Sequence, residues 1–155
     1  MLNVINVLKE FTSILPQFEK ANIRYAVIGG LAVNIYTQVR ATKDIDFLIA
    51  AEDLDAACQI LQKLGYLRKE NTLPFKKSGL ELQRLLKAVD NDFMVVDLLI
   101  AVSNEMANIL QNSIEVDFSF GKLKVILKED LIRMKTLANR PQDIADIEKL
   151  KEDET

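Results

Sequence analysis

Three aspartates lie inside apolar segments, where an ionised carboxylate is costly unless a positive charge meets it. Asp44 and Asp46 precede the apolar run 47–49, and Asp97 lies in the middle of the apolar run 93–100. Both segments are predicted to be strands, the second one fully buried. Because alternate residues of a strand point to the same face, Asp44 and Asp46 present their carboxylates side by side. We therefore expect the three aspartates to converge on one cation site.

Each of these aspartates also has a purely structural interpretation. The first two can lie at the solvated start of a strand, where a single Asp-x-Asp is common. Asp97 can instead belong to a structural ion pair within the core. The basic residues considered as its partners are Arg24, Arg40 and Lys43.

The chain has 155 residues, with no histidine and one cysteine, Cys58. Without histidine there is no Ser-His-Asp or Cys-His nucleophile system and no His-ligated zinc, which leaves carboxylate, lysine and metal chemistry. Hard oxygen ligands favour Mg²⁺, Mn²⁺ or Ca²⁺. Cys58 lies on an apolar helical stripe and is expected to be a buried packing thiol.

The length and the 49% hydrophobic content predict a single domain over residues 1–155. A net charge of -3 gives no general attraction to nucleic acid or to an anionic membrane. The sequence shows neither a long apolar run nor a secretion signal. We therefore expect no membrane partner and a cytoplasmic location.

Hydrophobic periodicity predicts an α/β arrangement in which strands first alternate with helices and then form a hairpin. An amphipathic helix opens the chain and should kink or break near Pro16. Asp53 and Ser103 are predicted helix N-caps, and Gly65 should end a helix. The predicted strands cover about 24–28, 44–49, 82–89, 93–100, 114–118 and 122–126. The other predicted helices cover about 31–37, 54–64, 103–110 and 131–138, with a last one from Pro141.

Gly29 and Gly30 close an apolar strand and precede a helix, so backbone N–H groups and the positive helix end can face a phosphate. The alternative is an ordinary tight turn. Arg40 is placed to neutralise phosphate charge, although an ion pair with Asp46 or Asp97 explains it nearly as well. Lys135 can reach a triphosphate from its helix or extend to water instead.

The combination resembles the nucleotidyltransferase superfamily related to DNA polymerase β. Its signature is an apolar strand, Gly-Gly or Gly-Ser, a spacer and then Asp-x-Asp, seen here as Ile28-Gly29-Gly30 and the segment 40–46, RATKDID. The form is similar to small bacterial branches, including abortive-infection-type and aminoglycoside or lincosamide nucleotidyltransferases. The segment 131–150 is similar to the C-terminal helices of the abortive-infection group. In it, Asp143 and Asp146 are expected to cap or decorate the last helix.

The resemblance implies a mixed, mostly antiparallel sheet flanked by helices, with C-terminal helices from about residue 128. It implies Asp44 and Asp46 as ligands of Mg²⁺, or Mn²⁺ in its place, together with an NTP. Asp97 would complete a second metal site and act as the base, or orient the base, for the incoming hydroxyl, while Gly29 and Gly30 would cradle phosphate. The implied reaction moves a nucleoside monophosphate from the NTP to an acceptor hydroxyl and releases pyrophosphate.

Two other functions stay open on the sequence. One is a non-catalytic or weakly catalytic partner in a toxin-antitoxin or phage-defence pair, since the short C-terminal helices leave the acceptor site undefined. The other is a structural protein stabilised by Ca²⁺ or Mg²⁺. The acceptor itself can be a small molecule, an RNA end or a protein.

Overall fold

A computed structural model describes residues 4–37, 44–69, 73–75, 80–118 and 121–152. Within these ranges the chain forms eight strands and six α-helices, with a short 3₁₀ turn at Ala51–Asp53. The strands are β1 Tyr25–Ile28, β2 Asp44–Ala50, β3 Leu67–Arg68, β4 Leu73–Phe75, β5 Leu80–Val89, β6 Asp92–Ala101, β7 Ile114–Phe118 and β8 Gly121–Val125. The helices are α1 Val4–Lys20, α2 Gly29–Tyr36, α3 Leu54–Lys63, α4 Asn104–Gln111, α5 Lys128–Ala138 and α6 Pro141–Glu152.

The strands form one sheet in the order β3-β5-β6-β2-β1-β8-β7, and β4 pairs with β5. The pairs β2–β6 and β1–β8 are parallel, and the other pairs are antiparallel. The predicted mixed, mostly antiparallel sheet is therefore confirmed. Strands β2 and β6 lie in the interior of the sheet, so the segments that carry the three aspartates are neighbours.

Helix α1 covers one face of the sheet through an aromatic cluster. Phe18 packs on Phe47 with ring centroids 5.2 Å apart, and Tyr25 meets the same ring edge-on at 5.7 Å. The predicted break at Pro16 is wrong, because α1 continues through that residue. Buried side chains on both sides of the proline, such as Phe11 and Phe18, pack against the sheet. This packing outweighs the loss of one helical hydrogen bond.

Several local signals place the elements as predicted. Asp90 and Asn91 both have positive φ and form the two-residue hairpin turn between β5 and β6. The Ser103 hydroxyl caps α4 by accepting a hydrogen bond from the Met106 amide. Asp53 does occupy the N-cap position of α3, but its carboxylate accepts hydrogen bonds from Arg24 instead of from the helix.

Helices α5 and α6 form a corner at the end of the chain. Asn139 adopts the left-handed conformation that ends α5, and Pro141 begins α6. Both helices also contact α2. Cys58 is buried, as predicted. In the part of the chain that the structure describes, no helix is long and apolar enough to cross a membrane.

Candidate functional site

The strand register brings the three aspartates to adjacent positions on one face of the sheet. Asp46 is the direct partner of Asp97 in the parallel β2–β6 pair, and Asp44 lies two residues before Asp46. Residues opposite each other in a sheet point to the same side, as do alternate residues of one strand. The carboxylates therefore share the face opposite the one that carries Phe47 and α1.

Gly29 lies directly against the side chain of Asp46. It has φ +71°, and a Cβ built on it would overlap Asp46 Oδ2. The position thus requires glycine for two separate reasons, the backbone conformation and the close approach of a carboxylate. The glycine pair and the Asp-x-Asp pair, fourteen residues apart from Gly30 to Asp44 in the sequence, meet at this point.

The electrostatic environment of Asp46 is strongly anionic. The pKa of Asp46 is raised to about 7, first by burial and then by the neighbouring charges of Asp97 and Asp44, while Lys135 and Arg140 act in the opposite direction. A carboxylate that binds its proton this tightly near neutral pH is in a place suited to a bound cation.

Asp97 is engaged by a residue that the sequence interpretation missed. The Arg84 guanidinium donates from Nε to Asp97 Oδ1 at 2.8 Å and from Nη2 to Oδ2 at 2.9 Å. Asp97 is only 6% exposed, so this paired contact supplies the compensating charge for the buried carboxylate. Of the partners that the sequence suggested, Arg24 is wrong, because it pairs with Glu52 and Asp53. The other two lie outside the described residues.

The hairpin turn between β5 and β6 makes the Arg84–Asp97 pair predictable from the sequence. Val89 and Asp92 flank the two-residue turn, and counting five residues away from it along each strand reaches Arg84 and Asp97. In a hairpin whose turn is fixed, such counting gives the register. The sequence therefore allowed Arg84 to be placed opposite Asp97.

The donor chemistry of Asp44 and Asp46 fits a divalent cation, since both offer hard oxygen ligands on one face beside further negative charge. A preformed metal site with three ligands is absent from the part of the chain that the structure describes. No group of three or more Asp, Glu or Cys side chains there has the arrangement of a metal site. Both oxygens of Asp97 accept hydrogen bonds from Arg84 in this arrangement, which leaves the Asp44–Asp46 pair as the fitting donors.

A buried ion cluster at the α5–α6 corner flanks the site. Lys135 Nζ lies 3.0 Å from Asp146 Oδ2 and 3.4 Å from Asp143 Oδ1, and Arg140 Nε donates to Asp143 at 2.7 Å. Asp143 also accepts from the Arg140 amide at the start of α6, as a cap would. Asp146 is fully buried and pairs with Lys135, so the prediction that it only caps or decorates the last helix is wrong. Lys135 is buried as well and does not extend to water.

The phosphate-binding roles suggested by the sequence remain predictions. Gly29 and Gly30 form the first two residues of α2, beside Asp46. Lys135 is near enough to act on the charge of Asp46. Arg40 lies outside the described residues.

Replacing Gly29 by alanine should displace Asp46. The left-handed backbone costs an alanine about 1–2 kcal/mol, and its Cβ would also collide with the carboxylate. We expect lower stability together with weaker Mg²⁺ binding, measured by thermal melting with and without the ion. Gly121→Ala is the matched control, because Gly121 also has positive φ but its Cβ would meet nothing within 4 Å. Equal losses of Mg²⁺ binding in both variants would contradict a specific role of Gly29.

Removing Arg84 should leave Asp97 buried beside Asp46 with no guanidinium. Because the Arg84 side chain is 46% exposed, we expect Arg84→Ala to lose only about 1–2 kcal/mol of unfolding free energy in EDTA. Millimolar Mg²⁺ should restore more stability to the variant than to the wild type, as seen in thermal melts. Arg24→Ala, which removes an exposed ion pair, should show no such extra response. A variant insensitive to Mg²⁺ would mean that Arg84 and the cation do not share Asp97.

Known proteins with the same architecture are nucleotidyltransferases. Residues 2–134 match the family described as "Uncharacterised nucleotidyltransferase". The lincosamide antibiotic adenylyltransferase LnuA with lincomycin bound has a TM-score of 0.68 at 22% identity, covering 92% of this chain and 95% of LnuA. A candidate nucleotidyltransferase from Thermotoga maritima gives 0.71 at 13% identity, covering 96% and 94%.

A third solved structure is ANT(2″)-Ia in complex with adenylyl-2″-tobramycin, with a TM-score of 0.66 at 17% identity, covering 92% of this chain and 86% of that chain. At such identities the solved structures show a common fold. No curated protein sequence matches the chain.

Proposed function

Because this chain belongs to that nucleotidyltransferase family, we propose that it transfers a nucleoside monophosphate from an NTP to an acceptor hydroxyl in a Mg²⁺-dependent reaction that releases pyrophosphate. The observation that carries the proposal is the register of β2 and β6, which sets Asp46 beside Asp97 with Gly29 against the Asp46 side chain. The carboxylates that would bind a cation and the glycine that would face a phosphate are therefore neighbours.

The donor nucleotide would bind on the β1 side of Asp46. There the N-terminal end of α2, at Gly29 and Gly30, would meet the phosphates through its backbone N–H groups. The cations of Lys135 and Arg140 act on the same carboxylate, so they are the candidates to meet a triphosphate there. Their pairing with Asp143 and Asp146 fixes their positions and offsets much of their charge at a distance.

In the transfer itself, the acceptor oxygen forms a bond to the α-phosphorus while the bond from that phosphorus to the β-phosphate bridging oxygen breaks. Pyrophosphate leaves with the electron pair, and Asp97 accepts the proton of the hydroxyl. Asp44 and Asp46 would hold the Mg²⁺, which supplies charge stabilisation for the phosphates when bound. Arg84 orients the Asp97 carboxylate through its two hydrogen bonds. The remaining contribution is positioning of the two reactants.

The first test is binding of a non-hydrolysable NTP by calorimetry, with Mg²⁺ and then with EDTA. Wild-type protein should bind in Mg²⁺ only, and Asp44→Asn should not bind. Transfer is then followed with α-labelled NTPs and small hydroxyl compounds, because the acceptors named for the similar structures are antibiotics. A wild-type protein that binds no Mg·NTP at millimolar concentration would overturn the enzyme proposal.

The regulatory alternative predicts a different pattern. A partner module of a toxin-antitoxin pair would form a stoichiometric complex with another protein, and substitution of Asp44 would leave that complex intact. Pull-down from the native host followed by mass spectrometry distinguishes the two functions.

A further inference from the structure

The sheet face that carries the aspartates continues into an uncovered apolar strip. Val95 is the register partner of both Asp44 and Leu86, and Phe93 is the partner of Ala88. Leu67 of β3 lies opposite Leu86. Alternation along β6 puts these side chains on the same side of the sheet as Asp97. We call Leu67, Leu86, Ala88, Phe93 and Val95 the apolar strip.

The apolar strip is open to solvent at its outer end. Leu67 is 76% exposed and Phe93 is 59% exposed. Both line a groove of about 580 Å³, together with Leu86 and Ala88. A groove of this volume lies within the range found for small-molecule sites.

The described lining of the groove contains basic residues and no acidic residue. Arg68, Lys69 and Lys87 contribute to it, and of these Arg68 pairs with Asp55 and Lys87 with Glu10. Arg84 lies on the same sheet face and pairs with Asp97. The lining therefore offers no carboxylate of its own to a molecule with several positive charges, which favours a neutral or anionic ligand.

The strand order separates the two substrates. From the glycine strand, the sheet runs β1, β2, β6, β5, β3. The donor phosphates would lie at Gly29 and Asp46, on the β1 side, and Arg84 covers Asp97 on the β5 side, so an attacking hydroxyl would approach Asp97 along β6, from Val95. Val95 is two residues from Asp97, about 7 Å along the strand, and Phe93 is about 13 Å away. A small molecule bound on the strip can therefore reach Asp97 with one hydroxyl.

We propose that the apolar strip binds the acceptor, and that the acceptor is a small hydroxyl compound with an apolar, ring-containing body and no multiple positive charge. This inference rests on the proposed nucleotidyl transfer and adds the class of its second substrate. Phe93 supplies the stacking surface, and Leu67 with Leu86 supplies the floor.

Binding to the strip is tested without turnover. The probe is 1-anilinonaphthalene-8-sulfonate, which is apolar and anionic, and its fluorescence reports occupancy. Phe93→Ala should weaken its affinity about tenfold, the effect of removing a central aromatic contact. Phe118→Ala is the matched control, since Phe118 is an exposed aromatic on β7 at the opposite edge of the sheet. Equal affinities in the wild type and Phe93→Ala would overturn the assignment.

The acceptor class is tested with two probes, 4-nitrophenyl glucoside as a neutral aromatic acceptor and tobramycin as a polycation. We expect transfer to the glucoside only, and Phe93→Ala should raise its KM about tenfold with kcat nearly unchanged. Preferred transfer to tobramycin would overturn the class, as would transfer to neither probe by a protein that binds Mg·NTP. A wild type that does not bind Mg·NTP would instead defeat the proposed function. A dimer dissociated by Phe93→Glu would assign the strip to a second copy of the chain and overturn the proposal.

Discussion

Asp46→Asn should abolish the proposed nucleotidyl transfer and, at the same time, stabilise the metal-free protein. Loss of the proposed cation ligand would remove several kcal/mol of charge stabilisation in the transition state, which corresponds to at least about a thousandfold in rate. The stability change has the opposite sign, because Asp46 is partly buried beside Asp44 and Asp97 and has a pKa of about 7 in the folded protein.

The pH dependence follows from that raised pKa. The folded state binds the proton of Asp46 more tightly than the unfolded chain does, where the pKa is near 3.8. The stabilising contribution is therefore complete below about pH 4 and is lost as the pH rises through about 7. Each tenfold change in proton affinity is worth about 1.4 kcal/mol, so the metal-free wild type should lose a few kcal/mol over this window.

Urea unfolding in EDTA at pH 5 and pH 8 checks this expectation. The wild type should be less stable at pH 8, and Asp46→Asn should be almost indifferent to pH in this range. Mg²⁺ at pH 8 should stabilise the wild type and leave the variant unchanged. Asp117→Asn, on the exposed strand β7, is the control for a general effect of charge. If Asp46→Asn were the less stable protein at pH 8 in EDTA, the Asp46 charge would be compensated within the fold.

Asp146→Ala should be the most destabilising single substitution at the α5–α6 corner. It removes a fully buried carboxylate that lies 3.0 Å from Lys135 Nζ and accepts a hydrogen bond of 3.0 Å from the Gln142 side-chain amide. Lys135 would then be buried with only Asp143, which Arg140 already engages. Breaking a buried pair costs about 3 kcal/mol or more, and in a chain of this size that lowers Tm by roughly 6–12 °C.

A double variant shows whether the loss of stability comes from a lost interaction or from a buried charge left without a partner. Lys135→Met with Asp146→Leu removes both charges and should be more stable than Asp146→Ala, because no buried ion is left alone. Asp55→Ala breaks an exposed pair with Arg68 and should change the unfolding free energy by less than about 1 kcal/mol. Denaturant unfolding measures all three. A double variant no better than the single one would show that packing, and not charge, sets the loss.

The sequence predicted the two strands and the shared face of Asp44 and Asp46, and it predicted less well which side chains meet across elements. Apolar runs located β2 and β6, and alternation put Asp44 and Asp46 on one face, which the register confirms. The partner of Asp97 was missed because the three basic residues considered lie outside the hairpin, whereas Arg84 lies opposite Asp97 within it. Arg84 lies thirteen residues from Asp97.

The ion pairs at the α5–α6 corner were harder to predict from the sequence. Its cluster depends on the angle between two helices, set by the left-handed Asn139 and by Pro141. Hydropathy assigns an aspartate such as Asp146 to the surface, and only the meeting with Lys135 allows its burial. The predicted helix break at Pro16 was wrong for a related reason, because tertiary packing outweighed the local helix propensity.

The position of the carboxylates within the sheet has a consequence for how the protein opens. Strands β2 and β6 are hydrogen-bonded on both sides, so their amide protons should exchange with solvent only through global unfolding. The edge strand β3 has two residues and can open locally, at a much lower free energy. Heat should therefore disrupt the arrangement of the three aspartates only at the unfolding midpoint, whereas the groove at the edge can change its shape while β2 and β6 stay intact.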